Sequence, residues 1–264
     1  MLTPKELERY QRQIQIPGFG KEGQEKLKAT TALVTGVGGL GGTVALYLAV
    51  AGIGKLILVR GGDLRLDDMN RQILMTDDWV GKPRVMKAQT TLSQINPDVE
   101  VEAIAEYITP ENVDDLVQRS DIALDCPHNF EERNLLNAAC VLWEKPMVES
   151  AMNNMEGYLT TIVPDKTPCL SCLFPEKPSW DRRAFGVIGA VSGALACLTA
   201  LEAIKLITGL GTPLTSKLLT MDLANMEFAK RHPYHDPDCP ICGEGKREGI
   251  NKAVELLLRA NCAK

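Results

Sequence analysis

A chain of 264 residues, 45% apolar and 24% charged, has room for one large α/β domain or two small ones and carries no low-complexity tract, which excludes extensive disorder. Its net charge of −5 and pI near 5.4 exclude a surface built to track nucleic-acid backbones or acidic membranes and leave small molecules or proteins as partners. The first ten residues are polar with no apolar signal core, and the most apolar stretch, Val187 to Leu206, is interrupted by Ser192, Thr199, Glu202 and Lys205. It reads as a buried helix of a cytoplasmic protein, with no membrane span.

Residues 3–28 predict one or two helices broken at Pro17-Gly18-Phe19-Gly20, so that residues 1–30 form an N-terminal arm ahead of a single domain over 31–243. Thr31 to Thr35 predicts a strand, followed by a glycine turn, a helix over Thr43 to Ala51 stopping at Gly52, and a second strand over Lys55 to Val59. This is a βαβ unit of Rossmann type. A helix over Arg84 to Ile95, a strand over Val99 to Ala103, a helix over Pro110 to Gln118 and a strand over Asp121 to Asp125 continue the alternation. A helix through Val141 and a strand over Pro146 to Glu149 complete a parallel half. Beyond residue 155 the pattern changes to hairpin-like strands, Gly157 to Val163 and Lys217 to Asp222, around the helix ending at Thr208-Gly209. The expected fold is therefore α/β with one mixed sheet, parallel first and partly antiparallel later. A last amphipathic helix falls within 244–264, with Ile250, Val254, Leu257 and Leu258 at helical spacing.

Two motifs carry chemistry. In Gly36-x-Gly38-Gly39-x-Gly41, glycines between strand and helix let backbone N–H groups approach a phosphate at the positive end of the helix. Cys169-x-x-Cys172 and Cys239-x-x-Cys242 are duplicated knuckles, and four thiolates in tetrahedral array suit a structural Zn²⁺ with no open position. Cys126, Cys140, Cys197 and Cys262 have no partner pattern; three read as small core residues and one as part of the tail helix.

Taken with Arg9-Tyr-Gln-Arg12-Gln13, Asp68-Met-Asn-Arg71-Gln72, Val80-Gly-Lys-Pro83, Asn96-Pro97, Met155-Glu-Gly157 and Gly186-Val-Ile-Gly189, these motifs make the chain resemble the MoeB/ThiF/HesA family over roughly residues 9–243. The resemblance implies a homodimer that uses Mg-ATP to adenylate the C-terminal carboxylate of a small ubiquitin-like sulfur carrier. It places Gly39 under the nucleotide and Arg71 and Gln72 near the phosphates, and it sends Arg12 across into the partner copy's site. Arginine forks suit charge building on leaving phosphates. The acidic half of the family pattern is altered. The residue expected to hold the ribose hydroxyls is Arg60, with Gly62 two positions on and Asp63 one later. The family asparagine is Asp68, the phosphate-contacting lysine is Arg84, and the aspartate expected to manage Mg²⁺ is His128, a poor ligand for a hard ion. The crossing segment Ser179 to Phe185 holds no cysteine for a covalent sulfur step.

Three readings stay open. The first is adenylation of a carrier or a small carboxylic acid, with Arg12, Arg71 and Arg84 on the triphosphate and Asp63 or Asp68 as replacement metal ligand. The second is a dimeric binding protein that has given up Mg-ATP chemistry. The third is a site retuned to another nucleotide such as NADP, with Arg60 reading a 2′-phosphate and His128 transferring a proton.

Overall fold

The computed structural model describes residues 1–176 and 186–243. The crossing segment and the tail helix named above lie outside these residues. Eight strands form one sheet: β1 (Thr31–Thr35), β2 (Lys55–Val59), β3 (Glu100–Ile104), β4 (Ile122–Asp125), β5 (Met147–Asn153), β6 (Glu156–Ile162), β7 (Leu218–Asp222) and β8 (Glu227–Arg231), in the order β3-β2-β1-β4-β5-β6-β7-β8. Pairings up to β4–β5 are parallel and those from β5–β6 onward antiparallel, the mixed sheet that the sequence predicts. The chain runs outward from β1 through β2 to β3 and returns to β4 on β1's other side. This creates a topological switch point at the carboxyl ends of β1 and β4, where open α/β sheets hold ligands.

Alternation along the central strands builds two cores. Ala32 and Val34 of β1, Leu56 and Leu58 of β2, and Ile122 and Leu124 of β4 face the layer of α4 (Gly39–Ala51), α5 (Arg84–Ile95) and α9 (Gly189–Thr208). Leu33, Ile57 and Ala123 face the opposite layer of α6 (Val113–Gln118), α7 (Phe130–Leu142) and the short α8 (Leu170–Leu173). α9 has the length and hydropathy of a membrane span but packs against α4 and β5 inside the fold. Its buried Glu202 accepts hydrogen bonds from Thr161 Oγ1 (2.9 Å) and Leu214 N (2.7 Å), a polar anchor that suits a protein interior.

Ahead of β1 lie α1 (Pro4–Arg9), α2 (Gln11–Ile14) and α3 (Gly20–Ala29), with the expected break at Pro17 to Gly20 and a further one at Tyr10. The arm docks on the main body: Leu27 is fully buried, and Asn96 Nδ2 donates to the buried Tyr10 hydroxyl at 2.9 Å.

Several boundaries depart from expectation. α4 starts at Gly39, because the glycines themselves form its first turn, and α6 starts at Val113 instead of Pro110. β8 was not predicted; all five of its residues are exposed, so no alternation marks it. Cys126 and Cys140 are buried as expected, whereas Cys197 is exposed on α9.

Candidate functional site

The glycine turn bends from β1 into α4 directly beside the chain leaving β4. Gly36 has φ of +77°, and a Cβ there would fall 2.4 Å from the Cys126 carbonyl oxygen. At Gly41 a Cβ would fall 2.3 Å from the Gly36 carbonyl oxygen, so only glycine lets helix and turn approach this closely. α4 opens on Gly38 with no side-chain cap, leaving the N–H groups of its first turn directed outward at the positive end of the helix.

That turn lines a pocket of about 410 Å³ together with Arg60 at the end of β2, the segment Arg65 to Gln72, Arg84 from α5, and Cys126 to His128 after β4. Of the sequence-predicted residues, Gly36, Gly38, Gly39, Arg60, Asp68, Arg71, Gln72, Arg84 and His128 meet here. Gly41 supports the turn from behind. Asp63 is exposed and does not line the pocket; its carbonyl oxygen accepts from Arg84. Arg12, exposed on α2, does not line the pocket of its own chain. Arg65, Asp67, Asn70, Arg133 and Ser192 line it without having been named as site residues from the sequence.

The pocket is arginine-rich. Asp68 is buried and fully engaged: Oδ1 meets Arg71 at 2.8 Å, Oδ2 meets Arg84 at 3.0 Å, and Arg65 N donates to it at 3.1 Å. This clamp sets the positions of both arginines. Arg60 Nη1 lies 2.9 Å from His128 Nδ1, and its guanidinium sits 5.4 Å from the centre of the Tyr107 ring. Burial lowers the Arg60 pKa from the ordinary arginine value. Arg60 Nε and Gln72 Oε1 are buried without a hydrogen-bond partner, two polar atoms that a ligand would satisfy.

Beneath the pocket floor, Asp125 and Glu149 stand opposite each other in register on β4 and β5 and share Arg133, at 3.0 and 2.7 Å from its Nη1. Arg133 also donates to the Ser150 and Pro127 carbonyls, at 3.1 and 2.7 Å. Burial, and then the facing Glu149, push the Asp125 carboxyl well above the usual carboxylate range. Burial works against the charge on Arg133, but Asp125 and Glu149 outweigh it and raise its pKa.

On the far side of the sheet, the four knuckle cysteines come together with their sulfurs within 4.8 Å of one another; Cys169 and Cys239 are 3.7 Å apart and Cys172 and Cys242 3.4 Å. Tetrahedral zinc with bonds of about 2.3 Å needs sulfur separations of about 3.8 Å, so these residues fit the ion. Mg²⁺ fares differently in the arginine pocket. It takes oxygen ligands, and the buried carboxylate there, Asp68, is already engaged by two arginines.

A model described as the ThiF family matches residues 10–241. The chain belongs to the ThiF family. It is 72% identical over 261 residues to the protein HesA, heterocyst, of Trichormus variabilis, covering 99% of this chain and 98% of the relative. It is 37% identical to the sulfur carrier protein adenylyltransferase of Thermus thermophilus, covering 92% and 93%. This ThiF-family fold also superposes on the crystal structure of E. coli MccB with ATP at a TM-score of 0.77 and 26% identity, covering 89% of this chain and 73% of that one.

Proposed function

We propose that this chain binds ATP over the Gly36 to Gly41 turn and adenylates a carboxylate, either the C-terminal carboxylate of a ubiquitin-like sulfur carrier or that of a small acid. The carboxylate oxygen attacks the α-phosphorus, the bond to the bridging oxygen breaks, and pyrophosphate leaves with the electron pair. Arg71, held by Asp68, and Arg84 face the leaving phosphates, and Arg12 enters from a second copy in a homodimer. Guanidinium groups fixed before reaction stabilise charge that grows in the transition state. No cysteine occurs between Cys172 and Cys197, so the acyl-adenylate is the end point at this site.

The observation that carries this reading is the juxtaposition of an uncapped helix N-terminus with five arginines at the sheet's switch point. Two relatives support it in their own right, the Thermus thermophilus adenylyltransferase and MccB with ATP. The test is pyrophosphate release from ATP that depends on an added carboxylate, assayed with carriers ending in Gly-Gly and with a panel of small acids. Release with none of them refutes adenylation and leaves a binding protein.

One feature favours a second reading. Arg60 ends the second Rossmann strand, where a 2′-phosphate on an adenosine ribose would be read, and no carboxylate among the described residues pairs with it. On that reading the ligand is NADP, and Arg60→Asp abolishes its preference over NAD.

A further inference from the structure

The pocket's charges do not suit a metal-bound polyphosphate. Five arginines (Arg60, Arg65, Arg71, Arg84 and Arg133) line it against two aspartates, and the buried one, Asp68, is taken on both oxygens. Asp68 spends its two oxygens on Arg71 and Arg84, and Asp67 gives Oδ1 to Arg65 Nε at 3.0 Å. A divalent cation usually enters such sites through one or two carboxylates in addition to the phosphates. Here it would enter among guanidinium groups and an imidazole.

The Arg60 and His128 pair adds a second, independent observation. A guanidinium only donates, so at 2.9 Å the Nδ1 of His128 is the acceptor and its ring proton sits on Nε2. Arg60 keeps Nε buried without a partner, and Gln72 Oε1 is buried and unpartnered in the same pocket. The pair therefore has a donor on each side of its shared hydrogen bond.

We propose that this pocket binds a nucleoside triphosphate free of divalent metal, with the Arg60–His128 pair bringing positive charge that a metal ion would otherwise bring. This rests on the reading of the pocket as a nucleotide site, and it holds for binding whether or not adenylation follows.

The test is calorimetric titration of zinc-loaded protein with ATP in resin-treated, chelator-free buffer, so that the cysteine site keeps its ion, repeated with magnesium in excess over nucleotide. The expected result is a dissociation constant in magnesium-free buffer tighter than that with magnesium, or weaker by no more than about threefold, since magnesium competes for the phosphates in solution. Loss of more than about threefold on omitting magnesium overturns the inference while leaving the nucleotide reading intact. If Asp67→Asn then removes the magnesium dependence, Asp67 is the ligand. Absence of ATP binding in both buffers overturns the inference together with the nucleotide reading. In an Arg60→Ala/His128→Asp double variant with unchanged zinc content and circular dichroism, affinity in magnesium-free buffer falls at least about tenfold and magnesium restores part of it. Unchanged affinity in that variant overturns the role given to the pair.

Discussion

Replacing Arg133 by methionine removes the one cation that, among the described residues, pairs with both Asp125 and Glu149, and keeps most of the side-chain volume. Breaking a buried ion pair from one side typically costs about 3–5 kcal/mol, because the remaining charge is stranded away from water. The Ser150 and Pro127 carbonyls lose their donor as well, adding about 1–3 kcal/mol for each that water cannot reach. The variant can relieve part of this by binding a proton on the carboxylate pair. The sign follows from linkage. A folded state that binds more protons than the unfolded one loses stability as pH rises, by about 1.4 kcal/mol per pH unit per proton. Asp125 already behaves this way: its raised folded pKa gives stability that is greatest in acid and declines from the ordinary carboxylate range up through the folded value. Removing Arg133 extends the effect. Urea denaturation followed by circular dichroism should show a loss of about 3 kcal/mol or more, larger near pH 8 than near pH 5.5. A loss below about 1 kcal/mol, or one that is the same at both values, would refute the assignment of Arg133 as the partner of two buried acids.

Gly41→Ala should destabilise by about 1–3 kcal/mol, since the added Cβ meets backbone at 2.3 Å and nothing flexible can yield, whereas Gly193→Ala, with open space around it inside α9, should be neutral or stabilising by up to about 1 kcal/mol. Chemical denaturation of the two variants side by side checks the contrast, and equal effects would refute it. Cys239→Ser should abolish stoichiometric zinc in elemental analysis and lower Tm by more than about 5 °C; full retention of zinc would show that the four thiols do not form the site. Asp68→Asn should weaken ATP binding more than Asp67→Asn does, because Asp68 holds two arginines and Asp67 holds one; calorimetry that ranks them the other way would contradict the clamp.

Much of this was legible before any coordinates. The run from Thr31 through Gly41 to Val59 carries both periodicities and a turn only glycine can make, so β1, α4 and β2 follow from local rules, and the duplicated cysteine knuckles announce their own convergence. The pocket's arginines were legible where they fell in recognisable motifs, as Arg71 and Arg84 do. Arg133 was not. A cation in the first turn of α7, where the helix dipole disfavours it and Glu131 and Glu132 are also present, was the available signal, but its partners stand on two strands and are set by register. The engagement of Asp68 was equally hidden, because only the path of the chain brings Arg84 back against it. A carboxylate read from sequence as a free metal ligand proves to be the piece that holds two arginines in place.

The cysteine knuckles also have a consequence at a distance. The 70-residue span from Cys169 to Cys239 contains Val187 and Ser192, which form one wall of the arginine pocket, and the whole of α9, β7 and β8. An ion that clips the ends of that loop together removes chain entropy worth about 4 kcal/mol by the same logic as a disulfide of that length. Such an ion would thereby hold one side of the pocket against the other. If zinc at the cysteines and nucleotide in the pocket favour the same closed arrangement, each must favour the other, so zinc would tighten nucleotide and nucleotide would raise the affinity for zinc by the same factor.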